Sequence, residues 1–483
     1  MAPKARCVLS IARLAIVRCE VQAAAAMRVS LEAPALPPGG TGASPYNGGM
    51  ETIAIIGGGA SGLMAAVEAA LTLRCAGAQA HVALFEADDE RVGRSILATG
   101  NGRCNISNAH IDAQLYRNAN FVASAFAALQ RAHSTERGST SGVGAGGGIG
   151  AAAANPVLER FADMGLCVRE ESEGRLYPQA NKATSVLDVL RKTAQALGVD
   201  VQVAKRAVRV DAPSASGHPF NIRFADKTIA HASAVIVAVG GRAAASIQLP
   251  RPLACSSMRP VLGPVRVDAR SAKLTRQLNN IRVRCIVRLE RAGNPVAAER
   301  GELLFRDYGV SGVAVFNLSR HARPGDTLAI DFLPDVPEQQ AERFLAARRK
   351  RTQQLLDGPV CAERFCDGLV LPAVASVILR TADVKPADQL SKSAIPRLAA
   401  ALKGLPLTVE GIGDERQCQV RRGGYSVSEC SPQTCEALSV PGLFITGEAL
   451  DVDAPCGGYN LHWAWSTGML AGRAAAQRIA GAS

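Results

Sequence analysis

Gly57, Gly59 and Gly62 stand in Gly-x-Gly-x-x-Gly spacing, and Glu86 follows 24 residues after the last of them. Glycines so spaced let a backbone approach a pyrophosphate, and an acid about 20 residues further on suits ribose hydroxyls. The chemistry implied is the holding of a dinucleotide. Gly57 allows the tight turn, Gly59 the close approach, and Gly62 the packing of a helix on a strand. Ala60 and Ser61 would open that helix, whose unpaired N–H groups and positive dipole end favour phosphate.

The surrounding elements have the order this chemistry needs. The apolar run 52–56 ends in the glycines. Leu63, Ala66, Val67, Ala70, Leu71 and Leu73 follow at helical spacing, and the apolar run 81–85 ends in Glu86. That is a βαβ unit. The plainer alternative is a glycine-rich turn that only packs. Gly142, Gly144 and Gly147 repeat the spacing, but inside the Gly/Ala/Ser-rich stretch 138–154, with no strand before it. We expect a flexible insertion there. The chain therefore carries one dinucleotide fingerprint, with no second unit for a nicotinamide.

The chain has 483 residues, enough for two or three domains with real cores. No uncharged apolar run reaches the roughly 20 residues that span a bilayer. The net charge is +12, with a basic cluster at Arg348, Arg349, Lys350 and Arg351, but aromatics make up only 4%. Sparse aromatics argue against nucleic acid. The bland reading of the charge is a solvated basic surface. The 13 cysteines include no Cys-x-x-Cys, and Cys361/Cys366 and Cys430/Cys435 are too loosely placed to imply zinc. We expect reduced thiols, no metal and a cytoplasmic protein. Residues 1–49 read as a disordered extension, an organelle-type leader or a mis-assigned start, since Met50 directly precedes the first strand.

Further along, helices are expected over 121–130, 155–164 and 184–197, the last capped by Thr184. Strands are expected over 199–203, 220–224 and 234–239. Residues 251–334 read as β-rich, 337–402 as helical, and 406–420 as β again. The run 441–448 is a buried strand ending at Gly447 and Glu448, and 460–479 is helical. The expected division is 1–49; 50–249 as the first part of the nucleotide-binding domain; 250–335 as a β-rich insert; 336–410 as a helical insert; and 411–483 as the domain's second part.

Five segments carry a closer likeness: 55–62, 93–108 with Gly100-Asn101-Gly102-Arg103-Cys104-Asn105, 174–190, 301–320, and 423–472 with Gly447-Glu448-Ala449-Leu450-Asp451-Val452-Asp453. On these the chain resembles the YhiN/BaiN-like family of NAD(P)/FAD-dependent oxidoreductases, some labelled aminoacetone oxidase-like. The resemblance implies an α/β glutathione-reductase-like FAD-binding domain of Rossmann type, interrupted by a β-barrel-like unit and a small helical unit that cover the flavin. It implies FAD contacts at Gly57, Gly59, Ser61, Gly62, Glu86, Gly93 and Arg94, and at Val208 beside the adenine. Gly447, Glu448, Asp451, Gly458, Tyr459, Asn460 and Leu461 would face the ribityl chain and flavin. Arg306-Asp307 stands where the family usually has Thr-His, Cys456 where Thr is common, and His462 where Gln is common.

Flavin supplies the redox chemistry, and the protein supplies position and electrostatics. Arg103, Cys104 and Asn105 are the active-site candidates, because their loop resembles one that reaches the flavin. Arg103 could hold an acidic substrate or simply anchor the loop. Cys104 could be redox-active or a packed thiol. Tyr308 and Tyr459 are candidate proton donors that could equally pack. Trp463, Trp465 and His462 read as residues of the final helix. The leading expectation is an FAD-dependent oxidoreductase acting on a small organic substrate, with NAD(P)H as diffusible reductant or oxygen as acceptor. A flavin-dependent RNA-modifying enzyme and a non-catalytic or redox-sensing flavoprotein are the alternatives. Nothing in the sequence fixes the oligomeric state.

Overall fold

The computed structural model describes residues 51–138, 155–213, 219–251 and 253–482. The proposed extension 1–49 and nearly all of the insertion 138–154 lie outside them. Five parallel strands form the central sheet in the order Leu443–Ile445, Ala234–Val237, Thr52–Ile56, His81–Phe85 and Asp200–Gln202. The first strand is buried along its whole length, as a parallel strand covered on both faces must be. The edge strand Leu443–Ile445 brings the far end of the sequence into the same sheet.

Two helices fix the sheet's outer layer. The first, Ala60–Ala76, follows the glycine turn and is buried along most of its length. The final helix, Tyr459–Ala482, packs along it. Contact is close because Gly468 and Gly472 lack side chains. A Cβ on Gly468 would fall 2.4 Å from Ser61 O, and one on Gly472 2.4 Å from Ala65 O.

The interruption is a closed six-stranded barrel of Val265–Val267, Gly309–Ser311, Asn294–Arg306, Arg282–Arg291, Thr327–Asp331 and Leu405–Ile412. The closing strand comes after the helical stretch, so barrel and helices share one core. Leu328, Ile330 and Leu405 pack there with Leu345, Phe365 and Leu398. The antiparallel pair Cys255–Val261 and Val420–Tyr425 carries the chain in and out.

Local readings needed correction in two places. The stretch read as β-rich also holds helices Ala269–Gln277 and Val313–Ser319, the former capped by Asp268 through Ser271 N–H at 2.8 Å. Thr184 is not a cap: its helix starts at Ala183, after Lys182, with no side-chain cap. Of the basic cluster, Arg348 and Arg349 donate to the carbonyls of Phe365 and Leu390, and so tie the helical part together. No helix among the described residues is long and apolar enough to cross a membrane.

Candidate cofactor and active site

The glycine turn is built as its spacing requires. Gly57 has φ +106°, and a Cβ there would lie 2.5 Å from Ala238 O. A Cβ on Gly62 would lie 1.9 Å from Gly57 O. Gly59, by contrast, would meet only Ser95 Oγ at 3.2 Å, so its outer side is open. Ala60 and Ser61 stand in the first helical turn, where N–H groups have no intrahelical partner. Glu86 turns back onto the loop: one carboxylate oxygen accepts Gly58 N–H at 2.7 Å, the other Asp88 N–H at 2.8 Å. Gly93 N–H donates to Gly58 O at 2.8 Å and joins the next loop to this one. Arg94 pairs with Asp88 at 2.8 Å. Val208 lies at an irregularity in its strand pairing, with its carbonyl taken by Gln248 N–H at 3.0 Å.

The C-terminal segment closes onto the same turn. Thr446 Oγ1 lies 3.2 Å from Ser61 Oγ. Gly447, at φ +62°, donates its N–H to Thr467 Oγ1 and accepts Trp463 Nε1–H. Two of its acids differ in their partners. Asp451 is gripped by Arg117 at 2.8 and 2.9 Å and by Gly423 N–H at 3.1 Å. Glu448 forms no ion pair at contact distance among the described residues. Burial pushes it up to about 7, against the pull of Gly241 N–H and the Arg242 charge. It lines a cavity of about 30 Å³ with Arg242, Arg421 and Cys418.

The start of the final helix meets the Arg103–Asn105 loop. Gly457 and Gly458 have φ of +135° and +97°. A Cβ on Gly458 would lie 2.3 Å from Ser107 O and 2.9 Å from Asn105 Oδ1. That Asn105 oxygen is buried and accepts no hydrogen bond. Asn460 staples the approach, accepting Ala454 N–H and donating to Ala454 O, both at 2.9 Å. Tyr459 O accepts the Tyr116 hydroxyl at 2.8 Å, and Leu461 packs on the main core. His462 is buried against Ser107 Oγ at 2.9 Å. Burial drags its pKa down to about 3, so the imidazole is neutral at ordinary pH.

The remaining sequence candidates separate. Arg103 donates to Asn181 Oδ1 at 2.5 Å, pairs with Glu171 and lies 4.1 Å over the Tyr177 ring. These contacts anchor its loop. Cys104 is fully buried at φ +60°, and burial raises its thiol to about 11. It sits as a packed thiol. Tyr308 belongs to one end of the barrel: a Cβ on Gly413 would lie 2.8 Å from its ring, and its buried hydroxyl has no partner. The structure thus gathers Asn105, Ser107, Gly458 and His462, with Tyr308 placed elsewhere.

Several contributors had no signal in the sequence. Asn317, on a barrel helix, accepts Cys456 N–H at 2.8 Å and donates to Glu299 Oε2 at 3.2 Å. Burial, with Glu173 nearby, raises the Glu299 pKa. Arg320 and Arg422 converge on Asp453 at 2.7 Å. These pairings join residues 18 to 139 positions apart, and no local pattern announces them.

The site fits FAD on its own geometry: a bare glycine turn with an acid behind it, a buried acid at the second strand tip, and an orphaned acceptor beside a helix start. The HI0933-like protein Rossmann domain family matches residues 153–474. The 3-dehydro-bile acid delta(4,6)-reductase of Clostridium scindens is 33% identical over 449 residues, covering 89% of this chain and 100% of that protein. The ribosomal RNA dihydrouridine synthase of Escherichia coli is 25% identical over 429 residues, covering 86% and 95%. Among solved structures, an E. coli quinol fumarate reductase aligns with a TM-score of 0.39 at 15% identity, over 90% of this chain and 71% of that one. A likeness at that score carries no argument.

Proposed function

The chain belongs to the HI0933-like, YhiN/BaiN-type family of FAD-dependent oxidoreductases, and from that premise we propose that it reduces an organic substrate, with NAD(P)H as diffusible reductant. The direction rests on the relatives' names: a reductase and a dihydrouridine synthase both describe addition of hydrogen. Bound FAD would supply hydride transfer. The protein's own residues supply the rest. Gly59 leaves the turn open to the pyrophosphate, Gly57 and Gly62 let the turn and helix close behind it, and Glu86 and Glu448 stand at the two strand tips for hydroxyl groups. The N-terminus of the final helix favours negative charge beside Gly458. Glu299 and Tyr459 are titratable groups near the Cys456–Gly458 loop. Burial favours the protonated form of both.

The observation that carries the cofactor's place in this reading is the buried, unpaired Asn105 oxygen beside Gly458, an acceptor left for the cofactor. Asn105→Ala is expected to weaken FAD binding about tenfold, the worth of one buried hydrogen bond. Equilibrium dialysis of FAD and the flavin absorbance envelope would read this. Wild-type affinity and spectrum in the variant would refute the assignment. Anaerobic titration of the FAD-loaded protein with NADH and then NADPH tests the reductant. Bleaching of the flavin bands by at least one is expected, and persistence of the bands with both would sink the NAD(P)H reading.

RNA as substrate is the second reading. The net charge of +12 and the dihydrouridine synthase relative favour it, while the 4% aromatic content leaves little for base stacking.

A further inference from the structure

Two guanidinium groups are held side by side where the chain enters and leaves the barrel. Arg259 and Arg422 are direct cross-strand partners. Both reach one oxygen: Arg259 Nη2 donates to Arg320 O at 3.2 Å, and Arg422 Nη1 donates to it at 2.5 Å. Like charges directly opposite on antiparallel strands destabilise the pair. Arg422 is compensated by Asp453 through two bonds of 2.7 Å. Arg259 is not, having no acid at ion-pair distance among the described residues. Arg323 is in the same position, and Asp326 beside it is already gripped by Arg291 at 2.8 and 2.9 Å.

Arg117, Arg259, Arg320, Arg323 and Arg422 thus share the patch with two aspartates, Asp451 and Asp453. The excess positive charge is felt nearby: burial first, then Arg422, lowers the Arg259 pKa, and burial, then Arg320, lowers that of His321. A structural role does not explain Arg259, since one bond to a carbonyl needs a donor and not a charge. The patch also has a telling place. Asp453 lies four residues before Gly457, and Arg320 follows the helix whose Asn317 holds Cys456.

We infer that Arg259 and Arg323, backed by Arg422 and Arg117, form a docking site for a phosphate group on a ligand whose other end reaches the Gly457–Gly458 loop. Exposed guanidinium forks match phosphate oxygens in geometry as well as charge. The phosphate could come from a pyridine dinucleotide or from the backbone of RNA. The site does not depend on the proposed reductase reading, although the location of the ligand's far end does.

The test uses FAD-loaded wild type, Arg259→Gln and an Arg259→Glu/Arg323→Glu double variant, with calorimetric titration of inorganic pyrophosphate, NADH, NADPH and a short RNA hairpin. Pyrophosphate affinity is expected to fall about tenfold in the Gln variant and further in the double variant, as loss of a charge-assisted bond dictates. FAD content is expected to stay at the wild-type level. The Gln variant is expected to melt no lower than wild type, because it keeps a donor for Arg320 O and removes a repulsion. A larger loss for NADPH than NADH assigns the site to a 2′-phosphate, an equal loss for both to the dinucleotide pyrophosphate, and a loss confined to RNA to its phosphodiesters. Unchanged binding of all four probes in the double variant overturns the proposal. So does loss of FAD from the Gln variant, which would make the patch part of the cofactor's own site, or a marked fall in its melting temperature. If neither nucleotide reduces the flavin, the reductase reading fails while the pyrophosphate result still stands or falls alone.

Discussion

His462 turns its buried imidazole onto Ser107, and burial drags its pKa to about 3. Unfolded histidine protonates near 6.5. Between those values only the unfolded chain takes up the proton. Stability is therefore full above about pH 6.5 and is lost as pH falls towards 3. At pH 5 the loss is about 2 kcal/mol. His462→Gln keeps a polar partner for Ser107 and has nothing to titrate. Urea denaturation is expected to show the variant losing about 2 kcal/mol less than wild type between pH 8 and pH 5. Equal losses in the two proteins would place the acid sensitivity elsewhere. At this scale the sequence was readable where constraint is local. Gly57, Gly62 and Gly458 would each force a Cβ within 2.5 Å of backbone, and such positions announce themselves as glycine. Arg103 was harder, because its partners Asn181 and Glu171 are 78 and 68 residues away. Its motif named the loop without saying which way the guanidinium would turn.

The seam between the first and final helices depends on two missing side chains. Gly472→Ala would drive a Cβ to within 2.4 Å of Ala65 O, which is backbone and cannot step aside. The helices must separate, at a cost of about 3 kcal/mol or more. Gly481→Ala is the control in the same helix, since a Cβ there meets nothing within 4 Å. It is expected to stabilise by about 0.5–1 kcal/mol through helix propensity. Thermal melts of both variants test the pair; a Gly472→Ala protein melting with wild type would show that the seam can yield. Apolar periodicity revealed the final helix within a few residues of its ends. It could not reveal the partner, because a stripe of glycine and alanine carries no hydrophobic signature. The two short barrel helices were missed for a related reason: Ala269–Gln277 and Val313–Ser319 have nine and seven residues, too few for a period of 3.6 to declare itself.

Barrel and sheet are fastened at Asp453. Its carboxylate joins Arg320, past a barrel helix, to Arg422 on the returning strand, and its carbonyl accepts Arg117 N–H at 2.8 Å. Burial raises its pKa, but the Arg422 and Arg320 bonds more than offset this and hold it below the usual carboxylate range. Asp453→Asn would strand two guanidinium groups around a neutral amide. A loss of about 3 kcal/mol or more is expected, with earlier hydrogen exchange in the strands Cys255–Val261 and Val420–Tyr425 as the sign that the joint has loosened. Unaltered exchange there would mean that apolar packing alone holds the two parts. The interruption of one α/β layer by a barrel was legible from the change in composition and from the family likeness. The joint was not, since its parts lie as far as 133 residues apart and none belongs to a repeating pattern. The same architecture sets a timetable for synthesis. The barrel and its helices hold all their core partners within 265–409 and can close as soon as that stretch emerges. The helix that opens the glycine turn must wait about 380 residues for its lid, a delay of roughly 20–80 s at ordinary ribosomal speed. Throughout that interval its small-residue face is bare, and the half of the proposed cofactor site that the final helix supplies is still unmade.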